Sequence, residues 1–239
     1  MYHRSMHTQP DIASIAFLIG DPMRAVILTS LLGDIALPAS ELAARCRLTQ
    51  QTVSAHLAKL VAGGLLTVER SGRHRYYRLA NADVGHALEA LQIIAPRPPV
   101  RSLRQSDETR ALCFARTCYD HLAGKLGSGI TQAMLQRKYL VEAEKSYTLT
   151  SEGERWVAHI GVDVSEIRRK RRAFAFPCLD WSERCHHLAG ALGASIAAQW
   201  FAQGWMIRLD GSRAVRLSEA GQQGLLQELD LHYAASPAC

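Results

Sequence analysis

Between Leu48 and Leu60 the run LTQQTVSAHLAKL sets amide, hydroxyl, imidazole and ammonium groups among small and aliphatic residues. Projected as a helix at about 100° per residue, Val53, Leu57 and Leu60 share one stripe, with Val61 at its margin. Gln51, Thr52, Ala55, Ala58, Lys59 and Ala62 lie opposite, with Thr49 and Gln50 at the N-terminal end. Small side chains allow a close approach to another surface. A glutamine amide can both donate to and accept from adenine in a major groove. Lys59, Ser54 and the helix N-terminus suit phosphate oxygens, which position a protein without reading sequence. His56 falls on the shoulder of the projection, where packing or a phosphate bond suits it better than base reading.

A second group of reactive types lies further on. Cys113 and Cys118 precede the run HLAGKLG at His121, and Cys178 and Cys185 precede HLAGALG at His187. Thiolates beside imidazoles can hold zinc, copper(I) or mercury, or act as a redox switch. However, no Cys-x-x-Cys occurs, and Cys118 and Cys185 fall one register apart when the two runs are aligned without gaps. On that spacing idle core thiols are favoured, and no residue is assigned as a metal ligand. Cys113, Cys118, Cys178, Trp181, Cys185 and His187 are kept as candidates for an effector site. A third use is an apolar ligand held by Trp181, Trp156, Tyr119 and Phe114, against which ordinary aromatic packing is favoured.

These groups need elements to hold them. A helix over 11–19 carries Ile12, Ile15, Ala16 and Ile19 on one stripe and ends at Gly20. Asp21-Pro22 supplies a cap and a first-turn proline for a second helix with Val26, Ile27 and Leu31. Ser40 is expected to cap a short third helix, ELAARC, and Thr49 a fourth, which Gly63 and Gly64 stop. Two strand-like runs, LLTVER and RHRYYRL, follow as a hairpin, and Asn81 caps one more helix. The hairpin brings Arg70, Arg73, His74, Arg75, Tyr77 and Arg78 together. Two short helices separated by a brief turn form a helix-turn-helix, whose second helix enters a groove N-terminus first.

The runs GDPMRAVILTSLL, ELAARCRLTQQTVSAHLAKLVAGGLL and ERSGRHRYYRL resemble the winged helix-turn-helix of the ArsR/SmtB family of bacterial regulators. The resemblance covers about the first 95 residues. It implies a dimeric repressor that an effector releases from double-stranded DNA carrying an imperfect palindrome. Members that sense arsenic or cadmium carry paired cysteines before the recognition helix, where this chain has PASELAARC. The zinc site in the last helix of other members pairs Asp and His with His and Glu; here Asp83, His86 and Glu89 stand without a second His.

The proline- and arginine-rich run at 96–108 reads as a linker between a domain over 1–95 and a sensing or dimer-supporting domain over 109–239. The latter repeats itself at about 109–165 and 176–239: LTSEG at Leu149 returns as LSEAG at Leu217. Each copy reads helix, turn, helix, strand pair, helix. The expected fold is therefore mainly α: a winged helix-turn-helix followed by a mostly helical domain of two degenerate winged-helix-like repeats. Gly124, Gly127 and Gly129 resemble a phosphate loop only superficially, since no strand run leads into them; tight helix packing accounts for them better. The run RRKRR at 168–172 reads as a solvated helix.

Composition agrees with a regulator. A formal charge of +6 and pI near 9.1 favour polyanionic partners, and between Ala39 and Ala80 seven Lys or Arg face two acids. No membrane-length apolar run and no secretory cleavage pattern are present, so a cytoplasmic protein with six reduced thiols is expected. The cofactor, if one is used, is left unknown by the sequence. The rival class is an enzyme or thiol metal-binding protein that uses its winged domain for protein contacts; no activated nucleophile or nucleotide loop supports catalysis.

Overall fold

The computed structural model describes residues 9–72, 74–96, 99 and 102–233. The chain divides into two compact units, Met1–Leu88 and Glu89–Cys239. Among the described residues no single helix is long and apolar enough to cross a membrane.

In the first unit, α1 (Ile12–Ile19) is capped by Asp11, which accepts from the Ser14 amide, and Asp21 caps α2 (Pro22–Ser30). Arg24 on α2 is buried and donates from Nε to the Leu18 carbonyl and from Nη2 to that of Phe17, both at 2.7 Å. A cation at a helix C-terminus satisfies orphan carbonyls and complements the dipole, which explains a buried arginine in an otherwise apolar helix. The stripe of α1 points largely outward, Ile12 being 76 % exposed and Ile15 36 %, and Phe17 beside it is exposed too.

Strand β1 (Leu37–Pro38) leads into α3 (Ala39–Cys46). Pro38 occupies the N-cap position without a side-chain bond, so Ser40 lies inside the helix and does not cap it. Arg47 takes a left-handed conformation, φ 54°, and turns the chain into α4 (Gln50–Ala62). Thr49 caps α4 as expected, its hydroxyl accepting from the Thr52 amide at 3.2 Å. Strands β2 (Leu66–Ser71) and β3 (His74–Leu79) form the wing, with sheet order β1-β3-β2. Asn81 accepts from the Val84 amide at the start of α5 (Ala82–Ile94). Val53, Leu57 and Leu60 are fully buried with Ile27, Leu28, Leu31 and Leu42, and each aliphatic side chain removed from water contributes about 1.5–3 kcal/mol.

The second unit takes in the end of α5. The run expected as a linker is helical from Leu103, as α6 (Leu103–Phe114), with Ser102 capping it through the Gln105 amide. Two repeats follow. The first is β4 (Arg116–Cys118), β5 (His121–Ala123), α7 (Gly124–Gln136), β6 (Leu140–Ala143), β7 (Ser146–Leu149) and α8 (Ser151–His159). After α9 (Val164–Arg168), the second is β8 (Phe176–Leu179), β9 (His186–Ala189), α10 (Gly190–Ala202), β10 (Met206–Arg208), β11 (Val215–Leu217) and α11 (Glu219–Leu229). Each copy thus has a hairpin immediately before its long helix, where the sequence reading has a helix and turn. The strands are three or four residues long, too short to show a period. The RRKRR run contributes only its first residue to α9, and Arg169–Arg172 form turns and bends.

The repeats exchange packing: α7 lies against β9 and α10 against β5, around one core that includes Leu126, Met134, Trp156, Leu192 and Trp200. Glycines permit the close crossings. A Cβ on Gly127 would stand 2.4 Å from the Leu122 carbonyl oxygen, and one on Gly193 2.3 Å from that of Leu188. A strand does lead into the glycine-rich turn of the first repeat. The free amide at Gly124 is nevertheless closed by the Asp180 carboxylate at 2.6 Å, so a protein anion occupies that helix N-terminus.

Candidate functional sites

The outward face of α4 is built by its inward one. With Val53, Leu57 and Leu60 fixed in the core, Thr49, Gln50, Gln51, Thr52, Ser54, Ala55, Ala58, Lys59 and Ala62 are all exposed. The Ser54 hydroxyl donates to the Gln50 carbonyl at 2.7 Å, and the Thr49 and Thr52 hydroxyls pair at 2.9 Å. The N-terminal turn is therefore rigid and carries no acidic residue. His56 is turned inward, its Nδ1 3.8 Å from Asp21 Oδ1 and its side chain 18 % exposed; it braces α4 on α2 rather than facing a groove. That corrects its place among the contact candidates.

On the wing, Arg70 and Arg75 stand directly opposite each other in the β2/β3 register, both exposed. Like charges so placed cost stability, and among the described residues neither makes an ion pair, whereas Arg78 meets Glu69 at 3.4 Å. His74 is exposed beside them, and Arg73 lies outside the described residues. Tyr77 is corrected: it pairs with Leu37 across β1/β3 and is 8 % exposed, packed in the core by strand alternation. In the same unit Cys46 is buried and its thiol is pushed up by burial, the signature of an inert side chain.

A second cluster forms in the other unit. Cys118 pairs with His121 across β4/β5, and Cys178 with His187 across β8/β9. Packing of these hairpins brings one ligand atom from each of the four residues within 4.8 Å of all the others, the two sulfurs being 3.9 Å apart. His121, missing from the sequence candidates, belongs to this group, whose four ligand atoms could hold a metal ion, although the sequence alone assigns no metal ligand. The ungapped alignment hid the match because the first hairpin joins its strands with two residues and the second with six, Asp180–Cys185. Cys113 lies on α6 outside the group, and Cys185 is exposed in the longer connection.

Charge inside the cluster is organised by Asp120 and Asp180. Oδ1 of Asp120 lies 3.3 Å from His121 Nδ1, and Asp180 Oδ2 lies 3.3 Å from His187 Nδ1. Burial alone would raise both carboxyl pKa values. For Asp120 the His121 and Arg172 hydrogen bonds outweigh it and hold the pKa down to about 2. For Asp180 the His187 contact and the Arg116 guanidinium hold it well below the carboxylate range. Cys178 is pulled down by its bond with Cys118, against burial and with help from His121 and His187, while that same bond and burial push Cys118 up. Burial works against a charged His187, but Asp180 and Cys178 raise its pKa.

Three of the aromatic candidates engage separate neighbours. Trp181 lies under the Arg116 guanidinium at 4.3 Å, Trp156 stacks on Tyr139 and donates to Glu228, and Phe114 meets Tyr233 edge-on.

A small-residue helix face free of acids, beside an arginine-bearing wing, defines a winged helix-turn-helix DNA-binding protein. Residues 19–69 match the helix-turn-helix domain family. The uncharacterized HTH-type transcriptional regulator YdfF of Bacillus subtilis is 42 % identical over 222 residues, 93 % of this chain and 98 % of that one. The HTH-type transcriptional regulator CmtR of Mycobacterium bovis is 36 % identical over 84 residues, 35 % of this chain and 70 % of its own. The NMR structure of the cadmium metal-sensor CmtR from Mycobacterium tuberculosis is 33 % identical, with a TM-score of 0.31, covering 39 % of this chain and 100 % of that one. The chain belongs to the ArsR/SmtB family of winged helix-turn-helix transcriptional regulators.

Proposed function

We propose that this regulator is a homodimeric repressor that binds an imperfect palindrome in double-stranded DNA and is released by an effector, a metal or a small molecule, bound in its second unit. The observation that carries the reading is the opposed Arg70 and Arg75, without an ion pair among the described residues, flanking an exposed face free of acids. Such a ribbon is disfavoured until a polyanion lies on it. Gln50, Gln51 and Thr52 then reach base edges, and Ser54, Lys59, His74, Arg75 and Arg73 hold the backbone. Dimerisation is supported by α1, whose Ile12, Ile15 and Phe17 are exposed and need a second surface to leave water. Two recognition helices would then enter successive major grooves about 34 Å apart. The protein acts by binding, in the cytoplasm, and not as an enzyme; the Asp180 carboxylate at Gly124 stands where a phosphate would need to lie.

The test is DNA binding by the full chain, using duplex from upstream of its own gene and a scrambled duplex. Gln51→Ala should narrow the discrimination between the two by about 1–3 kcal/mol, the worth of a bidentate base contact. Equal losses on both duplexes would remove Gln51 from base reading. Arg75→Ala should weaken both duplexes alike and reduce the slope of log affinity against log salt by about 0.9, one phosphate contact. An unchanged slope would take Arg75 off the backbone.

A further inference from the structure

The structure assigns a closed, four-coordinate metal site to Cys118, His121, Cys178 and His187, and we propose that it holds zinc. Four observations converge.

The first is donor geometry. Two thiolates bound at about 2.3 Å to a tetrahedral ion stand about 3.8 Å apart, and the two sulfurs here are 3.9 Å apart with both imidazoles inside the same 4.8 Å limit. A disulfide would need them near 2.05 Å.

The second is the backing of the ligands. Each imidazole turns Nδ1 toward a carboxylate, Asp120 or Asp180, at 3.3 Å. Each carboxylate is held in turn by an arginine, Arg172 at 2.5 Å and Arg116 at 2.9 Å. Carboxylate–histidine pairing of this kind fixes the ring and leaves Nε2 as the donor. The two repeats supply it independently, which core histidines would not require.

The third is burial. Cys118, His121 and His187 are at most 1 % exposed, and no hydrogen bond of regular geometry reaches His187 Nε2. A thiol is only a weak partner for a buried ring nitrogen, and a metal bound to both satisfies them together.

The fourth is chemistry. Two soft sulfurs and two imidazoles suit zinc and its heavier congener cadmium and provide no oxygen set for magnesium or calcium. With all four positions taken by protein, the site lacks the open position that catalytic zinc keeps. Its role is to clamp the two repeats, each giving one cross-strand Cys–His pair.

Elemental analysis and native mass spectrometry of the full chain, purified without chelator and exposed to zinc, should give one zinc per chain. Cobalt(II) as the probe should give the sulfur-to-cobalt charge-transfer band and the intense visible bands of a tetrahedral site. Both signals should vanish in Cys178→Ser, where the side chain is only half-buried, and persist in Cys113→Ser and Cys185→Ser. Should Cys178→Ser fold poorly by circular dichroism, the wild-type cobalt spectrum alone carries the decision. The site is overturned if the wild type takes up neither ion stoichiometrically, if a folded Cys178→Ser keeps the band, or if mapping of alkylated peptides finds a Cys118–Cys178 disulfide. None of these results depends on DNA binding, so the proposed repressor function stands or falls separately.

Discussion

Asp180→Ala is expected to destabilise the second unit by about 3–5 kcal/mol, the cost of stranding one member of a buried ion pair. Asp180 and Arg116 are both 0 % exposed and 2.9 Å apart. The carboxylate also accepts from the Gly124 amide at 2.6 Å, the Ser182 amide at 2.8 Å and its hydroxyl at 2.7 Å, and the Glu183 amide at 3.1 Å. Removing it leaves the Arg116 guanidinium with the Leu112 carbonyl, the Ser182 hydroxyl and the Trp181 ring, none of which carries the balancing charge. Urea unfolding followed by tryptophan fluorescence measures the loss, because all four tryptophans lie in this unit. Acid should reproduce part of it in the wild type. A carboxyl whose folded pKa lies below its unfolded value contributes stability that is complete above the unfolded value and is lost as pH falls through the folded one. For Asp120 that window runs from 3.8 to about 2, and Asp180 adds to it from the same upper limit. A variant within about 1 kcal/mol of wild type would show that the pair is dispensable, as some buried pairs are when their site is refilled.

Ala55→Glu should abolish operator binding while leaving the fold intact. Ala55 is exposed at the middle of the outward face of α4, and glutamate is a good helix former, so the helix itself loses little. The introduced carboxylate meets phosphates and base-edge acceptors across a gap that only a methyl group had to fit. Like-charge juxtaposition at an interface costs several kcal/mol, so affinity should fall by about a hundredfold or more. Fluorescence anisotropy with duplex from upstream of the gene reads the loss, and an unchanged urea midpoint for the first unit shows that folding is preserved. Near wild-type affinity would place the groove contact on another element.

The first unit is largely legible in its sequence because its periodicities are long. Thirteen residues of α4 repeat the apolar stripe often enough to fix both faces, and Asp21, Thr49 and Asn81 cap the helices predicted for them. Tyr77 and His56 are misread for local reasons. Strand alternation sends Tyr77 inward between half-buried Tyr76 and half-buried Arg78, and a shoulder position on a helical wheel does not reveal that Asp21 sits within reach of His56. In the second unit the repeat is plain, but the strands that position its ligands span only three or four residues. Cys118 and Cys178 become equivalent only when a gap is placed in the connection after Leu179. The signal was present: each His-Leu-Ala-Gly has a cysteine at the opposing strand position, and allowing unequal hairpin loops would have found it.

The crossed capping of α7 has a consequence for how the duplicated half acquires its shape. The first copy's long helix begins at an alanine with no side-chain oxygen, and its leading amide is completed by an aspartate that lies 56 positions further along the chain. A nascent polypeptide emerging from the ribosome therefore cannot finish that turn until the later copy has been synthesised. The earlier copy is thus tied to the later one, which supplies the anion its long helix lacks.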